Sequence, residues 1–378
     1  MNGESLSATG LRVSSKAARE DTRVTNRRLV LQHLFDGSEH SRADLARSTG
    51  LTAATVGAIV GELEARGLIL EVGTRRQGSQ VGKPPKMLSV RPESRNVISV
   101  DLSDPTTFRA AVVDLGGSVV ASVNVENPGS ANSETLSLVD KVIELAIAKA
   151  TAPILGIGIG TPGVVTASGS VVEASNFGWH DVGLGIHVED LTGHPTYVSN
   201  DANAAAIAEY SRGGHHCRNL AVVKIGSGVG AGFVLNGQPY GGEHASAGEI
   251  GHLVVADDGP RCRCGHRGCL ETFVAVPSLE NALAESGASA AEVRIDAAER
   301  LGVALAAIVA ILDLDLIVIA GPRRLLGDDF CANASKSLRS RCLESVAESV
   351  TVRFTSLDDD VVLLGAASLV LSQELGVA

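Results

Sequence analysis

Residues 248–271 read GEIGHLVVADDGPRCRCGHRGCLE, a segment in which Cys262, Cys264 and Cys269 follow His252. Three thiolates and one imidazole suit a closed tetrahedral Zn²⁺ site. Because so short a glycine-containing loop has little apolar mass to order it, a bound metal would supply that order. The alternative is three free thiols beside a surface histidine, which the clustering of the cysteines disfavours.

Acidic and amide side chains accompany this segment. Glu249 and Glu271 lie near its two ends, and together with a metal-held imidazole they could cradle a polyol through its hydroxyl groups. Asn200 and Asp201 lie where a predicted strand ends and a helix begins, so the carboxylate could accept a proton from a substrate hydroxyl. The alternatives are that Asn200 or Asp201 simply caps the helix and that the glutamates are ordinary surface residues.

A glycine-rich stretch, Gly226-Ser-Gly-Val-Gly-Ala-Gly232, follows the predicted strand Leu220–Ile225. A dinucleotide-binding fingerprint must open a helix, whereas residues 232–235 read as a second strand. The pattern therefore predicts a hairpin loop that faces nucleotide phosphate, or a structural remnant of one, and not a Rossmann site.

The N-terminal quarter of the chain has a different pattern. Residues 1–22 are polar and lack apolar periodicity, which predicts a disordered tail. Residues 23–91 read as helix, helix, glycine turn, helix and two strands around a basic loop, the element order of a winged helix-turn-helix. Ser41, in a capping box with Asp44, and Thr52 are expected to cap the second and third helices. The apolar face of the third helix is formed by Val56, Ile59, Val60 and Leu63, and this helix would enter the major groove.

Charge supports a nucleic-acid partner for this segment. Residues 1–95 hold 15 basic and 10 acidic side chains, which leaves 17 basic and 33 acidic in the rest of the chain. The candidate DNA contacts are small residues of the third helix and basic residues of the wing, namely Thr52, Ala53, Ala54, Thr55, Arg75, Arg76, Lys83 and Lys86. The alternative is a small helical dimerisation module.

The remainder alternates strands and helices after Pro92, which predicts an α/β body too large for one lobe. Its longest apolar run, around residues 301–312, is too short to span a bilayer. The first twenty residues contain no apolar signal-peptide core, and six cysteines without an export signal indicate a reducing cytoplasm. We therefore expect a cytoplasmic protein that does not associate with membranes.

Four segments together resemble the ROK family of repressors and sugar kinases, and specifically its repressor branch. They are GIGTPG at 158–163, VSNDANAAAIAE at 198–209, GEIGH at 248–252 and CRCGHRGCLE at 262–271. The resemblance implies two actin-like lobes: residues 92–200, completed by a C-terminal helix at 364–378, and residues 201–363, which include the zinc loop.

The resemblance also implies site residues. It implies zinc at His252, Cys262, Cys264 and Cys269. It implies sugar contacts from Asn200, Asp201, Glu249, His252 and Glu271, and Asp201 is the base in the kinase members of the family.

One departure from the family bears on catalysis. Kinase members carry an Asp-x-Gly-Gly-Thr type loop that wraps ATP phosphates, whereas residues 101–107 here read DLSDPTT. Both glycines are missing, Asp104 adds negative charge, and Pro105 lacks an N–H donor. We therefore expect poor ATP binding and no enzymatic activity.

These observations predict a sugar-responsive DNA-binding regulator, a repressor whose affinity for double-stranded operator DNA changes with a sugar or sugar phosphate in the cleft. We expect a homodimer or homotetramer with structural zinc. The first alternative is an active ATP-dependent sugar kinase with an appended DNA-binding domain. The second is a DNA-binding protein that docks a protein partner and has lost its response to ligand.

Overall fold

The computed structural model describes residues 19–74, 84–129, 131–214, 217–285, 287 and 289–377. These residues form two compact units that divide between Val90 and Arg91. The first unit is small and carries the winged helix-turn-helix pattern, and the second contains all the remaining sheets.

The described part of the first unit contains three helices and a three-stranded sheet. The elements are α1 (Arg19–Leu34), β1 (His40–Ser41), α2 (Arg42–Thr49), α3 (Ala53–Ala65), β2 (Ile69–Thr74) and β3 (Lys86–Val90). Strand β3 lies between β1 and β2 and is antiparallel to both. This arrangement confirms the predicted winged helix-turn-helix.

The predicted caps and apolar face of the first unit are both present. Ser41 and Asp44 form a capping box, in which the Asp44 N–H donates to the Ser41 hydroxyl at 3.1 Å. The Thr55 N–H donates to the Thr52 hydroxyl at 3.2 Å, which starts α3. The buried face of α3 is the predicted one, formed by Val56, Ile59, Val60 and Leu63.

The prediction of a tail through residue 22 was wrong for its last four residues, because α1 already begins at Arg19. A helix shows apolar periodicity only where it packs, so an exposed polar first turn gives no such signal. Arg23 and Arg27 of α1 donate to the Glu62 carboxylate of α3 at 2.7 and 2.9 Å and help to hold this end of the helix. Residues 1–18 lie outside the described residues.

The second unit is a two-lobed α/β body. Its strands are β4 (Asn96–Asp101), β5 (Thr107–Asp114), β6 (Val119–Glu126), β7 (Ile154–Thr161), β8 (Val164–Val165), β9 (Val171–Ala174), β10 (Trp179–Val182), β11 (Thr196–Asn200), β12 (Leu220–Ile225), β13 (Val229–Leu235), β14 (Gln238–Tyr240), β15 (Leu316–Ala320) and β16 (Thr351–Phe354). Its helices are α4 (Ser133–Ile147), α5 (Leu184–Thr192), α6 (Asp201–Arg212), α7 (Glu271–Val274), α8 (Val276–Glu285), α9 (Ala290–Leu312), α10 (Arg323–Leu326), α11 (Phe330–Arg339), α12 (Glu344–Ser349) and α13 (Val361–Leu375).

Each lobe is built on a five-stranded mixed sheet. The first sheet has the order β11-β7-β4-β5-β6. Strands β11, β7 and β4 are parallel, and β5 is antiparallel to both of its neighbours, β4 and β6. The second has the order β14-β13-β12-β15-β16, and strands β12, β15 and β16 are parallel. Strands β8, β9 and β10 form a small separate antiparallel sheet. Because parallel strands end at the same edge of a sheet, the loops that follow them gather there.

Three of the scarce aromatic residues form a cluster in the first lobe. Phe108, Phe177 and Trp179 are buried, with successive ring centroids 5.5 and 5.0 Å apart. Aromatic pairs at this spacing add to the stability that apolar burial provides. The other buried residues of the two cores are Val, Leu, Ile and Ala, together with Phe233, Phe330 and Cys331.

Helix α13 packs against α6 and against β4 and β7 of the first lobe. The predicted start at residue 364 was wrong, because the helix begins at Val361 and its last residue is Leu375. Gly365 suggested a boundary, but it lies inside the helix where α13 crosses α6. A side chain at this position would place its Cβ 1.8 Å from the carbonyl oxygen of Ala204, so the close approach requires glycine.

None of the helices in the described ranges combines the length and the apolar character needed to cross a lipid bilayer.

Candidate functional site

A cavity of about 690 Å³ lies at the strand ends of the second unit and is bordered by residues of both lobes. Residues 162–164 and 173–176 contribute from the first lobe, and residues 227–230 contribute from the second. All five residues predicted to contact sugar line this cavity, namely Asn200, Asp201, Glu249, His252 and Glu271. The fold thus brings together side chains that are up to 71 positions apart in the sequence.

Asn200 and Asp201 occupy the junction between β11 and α6. The Asn200 Oδ1 atom accepts from the N–H groups of Ala202 and Asn203 at 2.9 and 3.2 Å, and its Nδ2 donates to the Gly163 carbonyl at 2.9 Å. Asn200 is therefore the helix cap, the alternative considered from the sequence. Asp201 is the first residue of the helix and presents its carboxylate to the cavity.

The two glutamates of the cavity differ in their partners. Glu271 is buried, and its carboxylate accepts from the Val229 N–H at 3.3 Å and forms an ion pair with Arg263 at 3.1 Å. Glu249 also lines the cavity. Desolvation by the cavity walls raises the pKa of Glu249, and the nearby Asp201 and Glu271 carboxylates raise it further.

His252 belongs to two groups at once. It lines the cavity, and its Nδ1 atom lies 3.5 Å from the Cys262 Sγ. The ligand atoms of His252, Cys262, Cys264 and Cys269 all lie within 4.8 Å of one another. Their mutual distances and the soft donor set fit a single tetrahedral metal ion.

The cysteine loop is compact. The Cys262 N–H donates to the His266 carbonyl at 2.8 Å, and the Gly268 N–H donates to the Pro260 carbonyl at 2.8 Å. Gly268 has a φ of 70°, and a Cβ there would lie 1.5 Å from the Ala256 carbonyl oxygen, so only glycine allows the loop to close. Burial and the neighbouring thiols raise the pKa of Cys269 to about 12. A bound cation would instead favour the thiolate.

The sequence interpretation missed two basic residues of the cavity. The Lys224 Nζ lies 3.0 Å from the Asp201 Oδ2, and Arg263 contacts Glu271 and donates to the Asn176 Oδ1 at 2.7 Å. Burial opposes the charge of Lys224, but the carboxylates of Asp201 and Asp101 outweigh it and raise the pKa of Lys224. A lysine within the apolar strand LAVVKI was the signal that could have identified it.

Two family profiles match the chain. Residues 25–69 match the winged helix-turn-helix DNA-binding family, and residues 97–373 match the ROK family. The second match covers most of the chain and contains every residue of the cavity. The chain belongs to the ROK family.

Similar proteins include both repressors and kinases. A putative xylose repressor from Caldicellulosiruptor sp. (strain Rt8B.4) is 31% identical over 387 residues, which cover 93% of this chain and 96% of the relative. A glucokinase from Halalkalibacterium halodurans is 31% identical over 260 residues, which cover 60% of this chain and 79% of the relative. The crystal structure of a ROK family transcriptional regulator, described as a homologue of the Escherichia coli MLC protein, has a TM-score of 0.80 at 23% identity and covers 94% of this chain and 96% of its own.

The turn that follows β4 in the ROK body forms hydrogen bonds within itself. The Asp101 Oδ1 accepts from the Ser103 N–H at 2.9 Å and from the Ser103 hydroxyl. The Asp104 Oδ1 accepts from the Thr106 N–H at 2.8 Å. Two backbone donors of this turn therefore point to the turn's own carboxylates.

The glycine-rich stretch of the ROK body is a hairpin loop, as predicted. Strands β12 and β13 are antiparallel, and their pairing extends from Leu220 opposite Val234 to Ile225 opposite Val229. Strand β13 begins at Val229, three residues before the predicted start, because glycines in a strand are compatible with pairing even though they weaken it. Ser227 and Gly228 of the loop line the cavity.

The winged-helix unit exposes the predicted face of α3. Thr52, Ala53 and Ala54 are exposed, and Thr55 is half-buried. Lys86 is exposed at the start of β3 and forms an ion pair with Glu71, which also pairs with Arg42 at 3.1 Å. Arg75, Arg76 and Lys83 lie outside the described residues.

Proposed function

We propose that this ROK chain is a sugar-responsive transcriptional repressor. A sugar enters the cavity, favours the closed form of the cleft and so changes the affinity for operator DNA by its differential affinity for the two forms. Two copies of the chain would read a two-fold DNA site, as a dimer or within a tetramer. The similarity to a named repressor over 93% of the chain supports this function.

The observation that carries the proposal is the contrast between the two sides of the cleft. The sugar side has its carboxylates, amide and imidazole around one cavity. On the nucleotide side, the turn at residues 101–107 uses two of its own N–H donors internally and adds the charge of Asp104 where phosphate would approach. Such a site suits recognition of a sugar and does not suit its phosphorylation.

We propose Zn²⁺ as the metal of the His252, Cys262, Cys264 and Cys269 cluster. Zinc favours this number and type of ligands. Its function would be structural, since it would fix the His252 ring beside the cavity and order the loop that leads to Glu271.

The charges of the cavity favour a neutral sugar over a sugar phosphate. Both of its basic side chains, Lys224 and Arg263, are already paired with carboxylates. Glu249 adds a further acidic group that faces the cavity. Xylose is the first sugar to test, since the relative from Caldicellulosiruptor is named as a putative xylose repressor.

We propose that the exposed N-terminal face of α3 enters the major groove, with Thr52, Ala53, Ala54 and Thr55 nearest the bases. Small side chains allow close approach and can contact thymine methyl groups. The wing residues Arg75, Arg76, Lys83 and Lys86 would contact phosphates or the minor groove. Genome-wide footprinting of the protein would identify the operator, and sites beside a sugar-uptake operon would support the proposal.

Incubation of the pure protein with ATP, Mg²⁺ and a panel of pentoses and hexoses is expected to give no sugar phosphate above background, because two N–H donors of the turn after β4 are bonded internally and Asp104 adds negative charge. The assay would measure sugar phosphate by mass spectrometry. Asp201→Asn, purified in parallel, controls for contaminating kinases. Sugar phosphate that forms with the wild type and is lost in Asp201→Asn would establish the alternative, an active kinase with a DNA-binding domain.

A further inference from the structure

Lys224 is a charged residue within an otherwise apolar strand. It lies in β12, where it pairs with Gly230 of β13 and Ala320 of β15, and its side chain is only 15% exposed. Moving an ammonium group from water into such a place is costly unless it is paired. The position of Lys224 must therefore be explained by its partners.

Those partners are carboxylates. The Asp201 Oδ2 lies 3.0 Å from the Lys224 Nζ, and the Asp201 side chain is 14% exposed. Asp101 is buried at the end of β4, and because β4, β7 and β11 are parallel, it lies at the same edge of the sheet as Asp201. The Asp101 carboxylate, and more weakly that of Asp104, help to raise the pKa of Lys224. The ammonium group of Lys224 is therefore the counter-charge for the carboxylates of Asp201 and Asp101.

Two carboxylates that converge at the edge of a sheet, beside a polar cavity, are typical ligands of Mg²⁺ or Mn²⁺. Such a cation is also the usual means by which a cleft holds nucleotide phosphates next to its own carboxylates. Here Lys224 supplies one positive charge and up to three donors at the same place. A divalent cation beside Asp201 would meet both a positive charge and an occupied carboxylate oxygen.

We infer that Lys224 is a built-in cation that takes the place of a divalent metal ion between Asp101 and Asp201. The Lys224 ammonium group then neutralises the carboxylates of the cleft without Mg²⁺. It also excludes the divalent metal ion that phosphoryl transfer requires. This inference does not depend on operator binding or on a sugar response.

The test measures Mn²⁺ binding to the zinc-loaded Lys224→Ala variant. Electron paramagnetic resonance reports the free Mn²⁺, and calorimetry gives the affinity. Removal of the ammonium group leaves the carboxylates without a counter-charge and opens the space between them. We expect Lys224→Ala to bind one Mn²⁺ per chain at least about 100-fold more tightly than the wild type, and Mn²⁺ to raise the melting temperature of the variant alone. The double variant Lys224→Ala/Asp201→Asn, which retains the cysteine cluster, should lose this binding.

Three results would overturn the inference. The first is equal Mn²⁺ affinity in the wild type and in Lys224→Ala. The second is Mn²⁺ binding by Lys224→Ala that survives Asp201→Asn, since the ion would then lie elsewhere. The third applies if Lys224→Ala does not fold without metal. If Mn²⁺ then restores the folding of neither Lys224→Ala nor Lys224→Gln, the carboxylate pair does not form a cation site.

Discussion

Replacement of Ala54 by glutamate is expected to lower operator affinity by about 100-fold or more. Ala54 is exposed in the first turn of α3, the part of a recognition helix that lies nearest the bases. A carboxylate there would face the phosphates and acceptor-rich base edges, and such like-charge contacts cost several kcal/mol. Each tenfold change in affinity corresponds to about 1.4 kcal/mol, so a 100-fold loss corresponds to about 2.8 kcal/mol. Because two copies of the chain would contact each operator, this value is a lower bound.

The protein should remain folded, because an acidic side chain near a helix N-terminus is favourable. Fluorescence anisotropy with the footprinted operator, at one fixed salt concentration, measures the effect. Ala65→Glu is the matched control, since Ala65 is an exposed alanine at the other end of α3. Wild-type affinity in Ala54→Glu would remove α3 from the proposed DNA interface.

Cys264→Ser is expected to lower zinc affinity by at least about 100-fold. Loss of a residue that merely supports a ligand costs about 10–100-fold in metal affinity, so loss of a ligand should cost more. Because His252 belongs to the cluster and also lines the cavity, sugar affinity should fall by about tenfold or more in the same variant. Zinc content by mass spectrometry and sugar binding by calorimetry measure the two effects.

Cys217→Ser is the control, because Cys217 is a half-buried thiol outside the cluster. It should keep one zinc ion per chain and the wild-type sugar affinity. A Cys264→Ser protein with undiminished zinc and unchanged sugar binding would mean that the metal site or its structural function is wrongly assigned.

The sequence predicted the elements of the fold well where a local pattern determines them. The capping box at Ser41, the apolar face of α3 and the hairpin after β12 each depend on neighbouring residues, and each was found as predicted. The start of α13 was not found as predicted. Gly365 suggested a boundary, but glycine is needed there because the helix closely approaches Ala204, a residue 161 positions earlier in the chain. Contacts of this kind leave no periodic signal.

The candidate site shows the same division. The cysteine spacing predicted the cluster, and the resemblance to the ROK family predicted five residues that line one cavity. The pairing of Lys224 with Asp201 was not predicted, because the two residues are 23 positions apart and meet only through tertiary structure. Asn200 uses its side chain to cap α6, so a polar residue at a predicted site can have a structural function at the same time.

Control of DNA binding by a sugar in the ROK cavity can be measured as the operator affinity with and without xylose, or with and without another sugar that calorimetry shows to bind. Coupling between two sites in one protein is typically about 5–150-fold, so we predict a change of at least about fivefold in the wild type. Glu249→Gln, which removes an acidic group facing the cavity, should lose that change. A sugar that binds the wild type but leaves its operator affinity unaltered would contradict the account and favour regulation by a protein partner.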